Sequence, residues 1–229
     1  MKKILILGGS GFVSTNLIKY LPENWEIFAT YNSNIIKSEK IQSFKINLLE
    51  TPEKIIPIIQ NIKPDYIIDT VAFPSVDFCE ENHSIADKLH IDATKIISKI
   101  SNKINSKLLF LSTDAVFEGE LNKKYFETDI PKPVNYYGFT KLKAEEIILS
   151  TSQNNVVLRT AVIYGVGTQS RFTNWILSYL REKRSVDPFV DQFNSPTLVD
   201  DLSQAIVKIL KNDISGLFHA TGPTCINRY

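Results

Sequence analysis

Tyr137 and Lys141 stand four residues apart in the run Tyr137-Gly138-Phe139-Thr140-Lys141. On a helix that spacing puts both side chains on one face, one turn from each other. An ammonium so placed favours the anion of a neighbouring phenol. A free tyrosine titrates near pH ~10, so working near neutrality needs a drop of roughly three units, or about 4 kcal/mol. One close positive charge in a partly dry site supplies much of that. Spacing alone does not decide, because Tyr179 and Lys183 repeat it. The first pair differs in context: it follows an apolar strand that ends Leu111-Ser112-Thr113, and the second has no such partner.

A second feature with chemical meaning lies at the amino terminus, where Ile4 to Leu7 runs into Gly8-Gly9-Ser10-Gly11-Phe12-Val13-Ser14. A short apolar run reads as a strand buried on both faces, and an amphipathic helix to about Leu21 follows it. Strand, glycine turn and helix start together make a phosphate cradle, in which the backbone comes close and the helix dipole favours the anion. A tight turn without a ligand is the plainer reading. Ser14 stands where such cradles carry a third glycine, and a small residue there still lets helix and strand pack.

The next strands carry features that would choose the cofactor. The second strand, Trp25 to Thr30, ends in Thr30-Tyr31-Asn32-Ser33 without an acid. A carboxylate there would bind the ribose hydroxyls of NAD and repel a 2′-phosphate. Hydroxyls and an amide, with Lys37 near, suit NADP better, with NAD as the alternative; a polar loop tip explains the same residues nearly as well. Phe44 to Leu48 reads as the third strand, with Asn47 and Leu48 bordering an adenine. Asp65 to Thr70 reads as the fourth, and Val71-Ala72-Phe73 follow at its carboxyl end, where ligands collect in parallel sheets.

The elements needed to position these residues are legible as an alternation. Pro52 opens a helix, and Pro57 within it predicts a kink or break. A long helical stretch from about Asp77 to Ile104 is interrupted near His83. Lys107 to Ser112 and Val156 to Arg159 are the fifth and sixth strands. Beyond Tyr164-Gly165 the alternation breaks into a loop and a helix from about Thr173 to Arg184. Short strands at Pro188 to Val190 and Ser195 to Val199, a helix from Asp200 to Leu210 and a last strand at Gly216 to Ala220 complete the chain. Apolar strands alternating with helices predict an α/β fold with a doubly wound parallel sheet. One Rossmann domain over 1–229 is expected, with 163–190 and 221–229 forming a small substrate lobe.

Bulk properties exclude several classes. With 26 basic and 25 acidic residues in 229, net charge is +1, which gives no electrostatic case for nucleic acid or an anionic membrane. Cys79 and Cys225 fit no metal or redox spacing and suit a reducing cytosol. His83, His90 and His219 form no ligand pattern, and no metal site is expected. Met1-Lys2-Lys3 before Ile4 resembles a signal peptide only until Gly8, and no stretch approaches a membrane span. A cytoplasmic location is expected.

Five ordered blocks carry a resemblance. They are Gly8-Gly9-Ser10-Gly11-Phe12-Val13, Ser112-Thr113-Asp114-Ala115-Val116-Phe117-Glu118-Gly119, Tyr137-Gly138-Phe139-Thr140-Lys141, Leu158-Arg159-Thr160 through Tyr164-Gly165, and Asp191-Gln192-Phe193-Asn194-Ser195-Pro196-Thr197. Together they resemble the extended short-chain dehydrogenase/reductase family, and within it the dTDP-4-dehydrorhamnose reductase group. The resemblance implies an NAD(P)-dependent oxidoreductase reducing a 4-keto sugar nucleotide. Tyr137 would be the general acid, and Lys141 would lower its pKa and hold the nicotinamide ribose. Thr113 would bond the reacting oxygen; satisfying a backbone group at the strand end is the plainer role for it.

The chain departs from its resemblance at several places. Dehydratase relatives carry a glutamate at Ala115, so reduction is favoured over dehydration. The rhamnose reductases usually carry Tyr there and Trp at Val162, the two positions expected to face the sugar. Asp92 stands where the family tends to have Asn. Relatives continue some tens of residues beyond Ala220, so a minimal lobe or a fragment is expected. A cofactor-binding regulatory subunit, like the beta subunit of methionine adenosyltransferase, is the non-catalytic alternative, and a sugar-nucleotide epimerase a third reading. The group often pairs as a homodimer through its long helices; core burial explains the apolar stripe of 77–104 equally well.

Overall fold

The computed structural model describes residues 1–73, 75–167, 169–185 and 190–227. The first half contains β1 (Lys3–Leu7), α1 (Phe12–Leu17), β2 (Glu26–Tyr31), β3 (Ile41–Lys45), α2 (Ile55–Ile62) and β4 (Tyr66–Asp69). Next come α3 (Val76–Glu81), α4 (His83–Asp87), α5 (Ala93–Lys103), β5 (Lys107–Thr113), α6 (Tyr136–Thr151) and β6 (Val156–Thr160). The remainder is β7 (Ile163–Tyr164), α7 (Arg171–Arg181), β8 (Phe193–Asn194), β9 (Thr197–Leu198), α8 (Val199–Lys211), β10 (Gly216–His219) and β11 (Ile226–Asn227).

Seven strands form one parallel sheet in the order β10-β6-β5-β4-β1-β2-β3. Alternation within each strand explains why helices cover both faces. Leu5 and Leu7 of β1 point into one core layer with Ile55 and Ile59 of α2, Ile97 and Ile100 of α5, and Ile148 of α6. Ile4 and Ile6 point into the other, against Leu17 of α1 and Leu202, Ile206 and Leu210 of α8. Each such side chain contributes about 1.5–3 kcal/mol on leaving water, so the hydrophobic term alone favours covering both faces. The order of strands reverses between β1 and β4, which run parallel, and the carboxyl ends of those strands open the crevice where ligands bind in such sheets.

Several boundaries differ from expectation for local reasons. Pro57 does not break α2, which runs continuously through it. A short 3₁₀ turn, Pro52–Lys54, precedes the helix and leaves Pro57 third in α2, where an N–H has no intrahelical acceptor to lose. The third strand runs Ile41–Lys45 and stops before Asn47, whose side-chain oxygen accepts the N–H of Leu49 in a turn. The helical stretch after residue 75 does break beside His83, at Asn82, and also widens into a π turn over Lys88–Asp92. Its apolar stripe, including Ala93, Ile97 and Ile100, is spent on the chain's own core.

Beyond β6, β7 pairs with β9 in parallel, and β8 pairs with β11 antiparallel. α7 buries none of its residues. Of the strand expected at 188–190, Pro188 and Phe189 lie outside the described residues, as do Arg228 and Tyr229 of the expected lobe. No described helix is long and apolar enough to cross a membrane.

Candidate active site

The start of α6 is fixed by three local features. Asn135 caps it by accepting the N–H of Gly138 at 2.8 Å. Asp114–Val116 forms a 3₁₀ turn directly after β5, and the Thr113 hydroxyl accepts the N–H of Ala115 at 3.1 Å. Gly138 then lies so close to this turn that an added Cβ would sit 2.1 Å from the Ala115 carbonyl oxygen. Only a residue without a side chain allows that approach, and it sets Tyr137 beside Thr113 at the carboxyl end of β5.

Tyr137, Thr113 and Lys141 are therefore brought together, with an electrostatic outcome opposite to the expected one. The Lys141 ammonium, 2% exposed, donates to the Leu111 carbonyl at 2.7 Å and lies 3.7 Å over the Phe110 ring. Burial, and next the nearby Asp114, push the Tyr137 phenol above its ordinary pKa, with Thr113 opposing part of the rise. The lysine is turned to the strand backbone and does not offset this rise, so the neutral phenol is favoured. Burial pushes Lys141 down to about 8, with Asp69 and Glu145 holding it up.

Two acids around this centre, Asp69 and Glu145, escaped the sequence reading, and a third, Asp114, entered it without a role of its own. Asp69 ends β4, accepts the Val71 N–H at 3.0 Å and is raised by burial to about 6, with that bond and Lys141 opposing. Asp114 accepts from Thr113 Oγ1 at 3.2 Å and from Asn194 Nδ2 at 3.1 Å, and burial raises its pKa. Glu145 takes a two-pronged bond from Arg159, with Nη2 at 2.7 Å and Nε at 3.0 and 3.1 Å, and accepts from Ser112 Oγ at 2.5 Å. A signal existed for Asp69 and Glu145: one closes an otherwise apolar strand, and the other stands four residues after Lys141 on the helix that faces the sheet.

The amino-terminal turn has the geometry of a phosphate cradle. Gly8 adopts φ +77°, a conformation that favours glycine. Gly9 donates to the Thr30 carbonyl at 2.7 Å, and a Cβ on it would stand 2.6 Å from Ala29 Cβ. Gly11 donates back to the Gly8 carbonyl at 2.8 Å, closing the turn before Phe12 and Val13 begin α1. Ser14 is fully buried and bonds Thr70 Oγ1 at 2.9 Å, so a serine serves where a glycine might have stood. Half-buried Ser10, Phe12 and Val13, and half-buried Val71, Ala72 and Phe73 after β4, border the crevice. This backbone-lined turn without room for side chains fits a dinucleotide diphosphate.

Other expected residues sit differently. Thr30 is buried, and both its hydroxyl and its carbonyl accept from the glycine turn, the hydroxyl from Gly8 N at 3.2 Å. It braces the cradle from beneath. Asn32 and Lys37 are exposed beyond β2. Leu48 is buried in the core, while Asn47 is half-buried. Ala115 and Val162 are half-buried, and the Val162 carbonyl accepts the Thr197 N–H at 2.8 Å. Asp92 is exposed and pairs with Lys95 at 3.1 Å. Tyr179 contacts Trp175 and Arg184, and Lys183 lies past the end of α7 at φ +54°, so their spacing makes no helical pair. Among the described residues no cluster of His, Cys, Asp and Glu could hold a metal ion.

A family model described as RmlD substrate binding domain matches residues 1–229. The chain belongs to that family. It is 29% identical to a dTDP-4-dehydrorhamnose reductase of Aggregatibacter actinomycetemcomitans, over 100% of this chain and 76% of that protein. Other reductases of the same name are spanned over 60–62% of their length. A hypothetical dTDP-4-dehydrorhamnose reductase from Sulfolobus tokodaii superposes with a TM-score of 0.89 at 32% identity, over 100% of this chain and 79% of that one. A dTDP-4-dehydrorhamnose reductase from Bacillus anthracis, solved with NADP, gives 0.86 at 25% identity over 99% and 77%. This member of the family shares their Rossmann architecture, with the seven-stranded parallel sheet between helices.

Proposed function

We propose that the chain is an NADP(H)-dependent reductase of a 4-keto sugar nucleotide, with NAD as a second possible cofactor. The observation that carries the reading is the convergence of Thr113, Tyr137 and Lys141 at the end of β5, across the crevice from the glycine cradle of β1. The names of the relatives and the NADP held by the Bacillus anthracis protein support it. NADPH would be held at Gly8 to Val13 and along Val71 to Phe73, and it supplies the hydride.

The protein's own share is proton supply and orientation. Tyr137, kept protonated by burial, gives its proton to the carbonyl oxygen as that oxygen gains charge. Thr113 can swing its hydroxyl from Asp114 to the same oxygen. Lys141 presents further N–H donors beyond the one used on Leu111, suited to ribose hydroxyls. Residues 163–190 and 221–229 are the segments we assign to the sugar side, together with Ala115 and Val162. The small side chains at those two positions favour a substrate that does not depend on aromatic stacking there.

The test is NADPH consumption by purified protein with and without a dTDP-4-keto sugar. Turnover dependent on the sugar supports the reading. Tight NADPH binding without turnover on any keto-sugar nucleotide would favour the regulatory-subunit reading.

A further inference from the structure

One buried titratable side chain without a role so far bridges the two walls of the crevice. His90 is 2% exposed and lies in the π turn Lys88–Asp92. Its Nε2 accepts the N–H of Phe73 at 2.9 Å, and its Nδ1 lies 2.8 Å from Thr140 Oγ1. Thr140 Oγ1 donates to the Tyr137 carbonyl at 2.9 Å. A ring nitrogen that accepts from a backbone N–H carries no proton, so the neutral imidazole must carry it on Nδ1 and donate to Thr140. The bonds then run one way, from Phe73 N–H through His90 and Thr140 to Tyr137. The same ring meets Tyr137 edge-on at 5.7 Å and Phe73 at 5.7 Å.

We propose that His90 is a positioning residue that ties the cofactor-side segment Val71–Phe73 to the first turn of α6 and so fixes Tyr137 relative to the nicotinamide. This rests on the reductase reading. An arginine or lysine could not do it, since the contact with Phe73 needs an acceptor. A hydroxyl could not span both partners. The π turn is consistent with such a task, because these insertions recur at functional sites.

Two conservative variants separate the links. His90→Asn can place an amide nitrogen near the Nδ1 position and keep the bond to Thr140, but it does not reach Phe73. His90→Gln can place its oxygen near the Nε2 position for Phe73 and leaves Thr140 unserved. Each lost bond should shift the parameters it affects about fivefold. The expected pattern is a fall in kcat in His90→Asn, His90→Gln and His90→Phe alike, because cutting either end unties Tyr137 from the cofactor side. NADPH Kd should weaken in His90→Asn and His90→Phe, which lose the bond to Phe73, and be retained in His90→Gln. Equal losses in Asn and Gln that merely follow the melting temperature would overturn the proposal, as would a folded His90→Phe with neither parameter changed.

A further readout needs no turnover. Nitrogen NMR of the protein without cofactor should show His90 protonated on Nδ1 and not on Nε2, and the opposite tautomer would overturn the bridge. If the wild type reduces no keto sugar, the reductase reading fails. The tautomer and the NADPH titration would still judge the bridge by themselves.

Discussion

At the scale of single residues, the site depends on groups whose charge is set by burial more than by partners. Asp69 has a folded pKa of about 6, raised above its unfolded value. Such a group contributes stability at low pH that is lost as pH rises through the folded value. Replacing it with a neutral isostere should remove the loss. Asp69→Asn is therefore expected to be more stable than wild type at neutral pH, by up to about 3 kcal/mol, and equal to it near pH ~4. Denaturant melts at both pH values check this; a less stable variant at neutral pH would contradict it. Lys141, pushed down to about 8, gives a second expectation. The ammonium is lost as pH rises through that value, so kcat/KM should decline above about pH 8. A flat profile through pH ~10 would mean that the charge on Lys141 is not required.

At the scale of elements, α6 is held to the sheet by a glycine contact and a buried ion pair. Gly138→Ala would drive a methyl group into the Ala115 carbonyl. We expect a cost of up to about 3 kcal/mol and, because Tyr137 must move with its neighbour, a fall in turnover of about 100-fold. Wild-type rate and melting temperature in this variant would show that the helix start can move freely. Glu145 and Arg159 are 1% and 3% exposed, and they tie α6 to β6, with Ser112 of β5 joining the network. Glu145→Gln leaves a buried guanidinium without its charge partner, and unfolding should become easier by about 3–5 kcal/mol. An unchanged midpoint in denaturant would refute this.

Contacts of this kind were not legible in the chain, and the reason is physical. Hydrophobic runs such as Ile4 to Leu7 announce strands, because both faces of a covered parallel sheet are apolar. Tyr137, Lys141 and Thr113 announced themselves through spacing and order. The direction of the Lys141 ammonium did not, because it is decided by a carbonyl 30 residues away at Leu111. The partner of the Thr30 hydroxyl was hidden for a similar reason: it is the turn after β1, 22 residues distant. His90 was overlooked since its partners, Phe73 and Thr140, are separated by long stretches of sequence. Pro57 pointed to a break because the helix start was placed one short 3₁₀ turn too early.

At the scale of the whole molecule, two helix layers on one parallel sheet bring the amino-terminal cradle and the start of α6 to the same edge. The pairing of β4 with both β1 and β5 sets the width of the crevice between them. The proposed hydride transfer would use that crevice, with Tyr137 on one wall and the dinucleotide on the other. The most direct test is single-turnover oxidation of bound NADPH after mixing with a dTDP-4-keto sugar, comparing wild type with Tyr137→Phe. The account predicts a rapid loss of NADPH in the wild type, and in the variant a rate about 100- to 10,000-fold slower with NADPH affinity retained. Equal rates in the two proteins would contradict it.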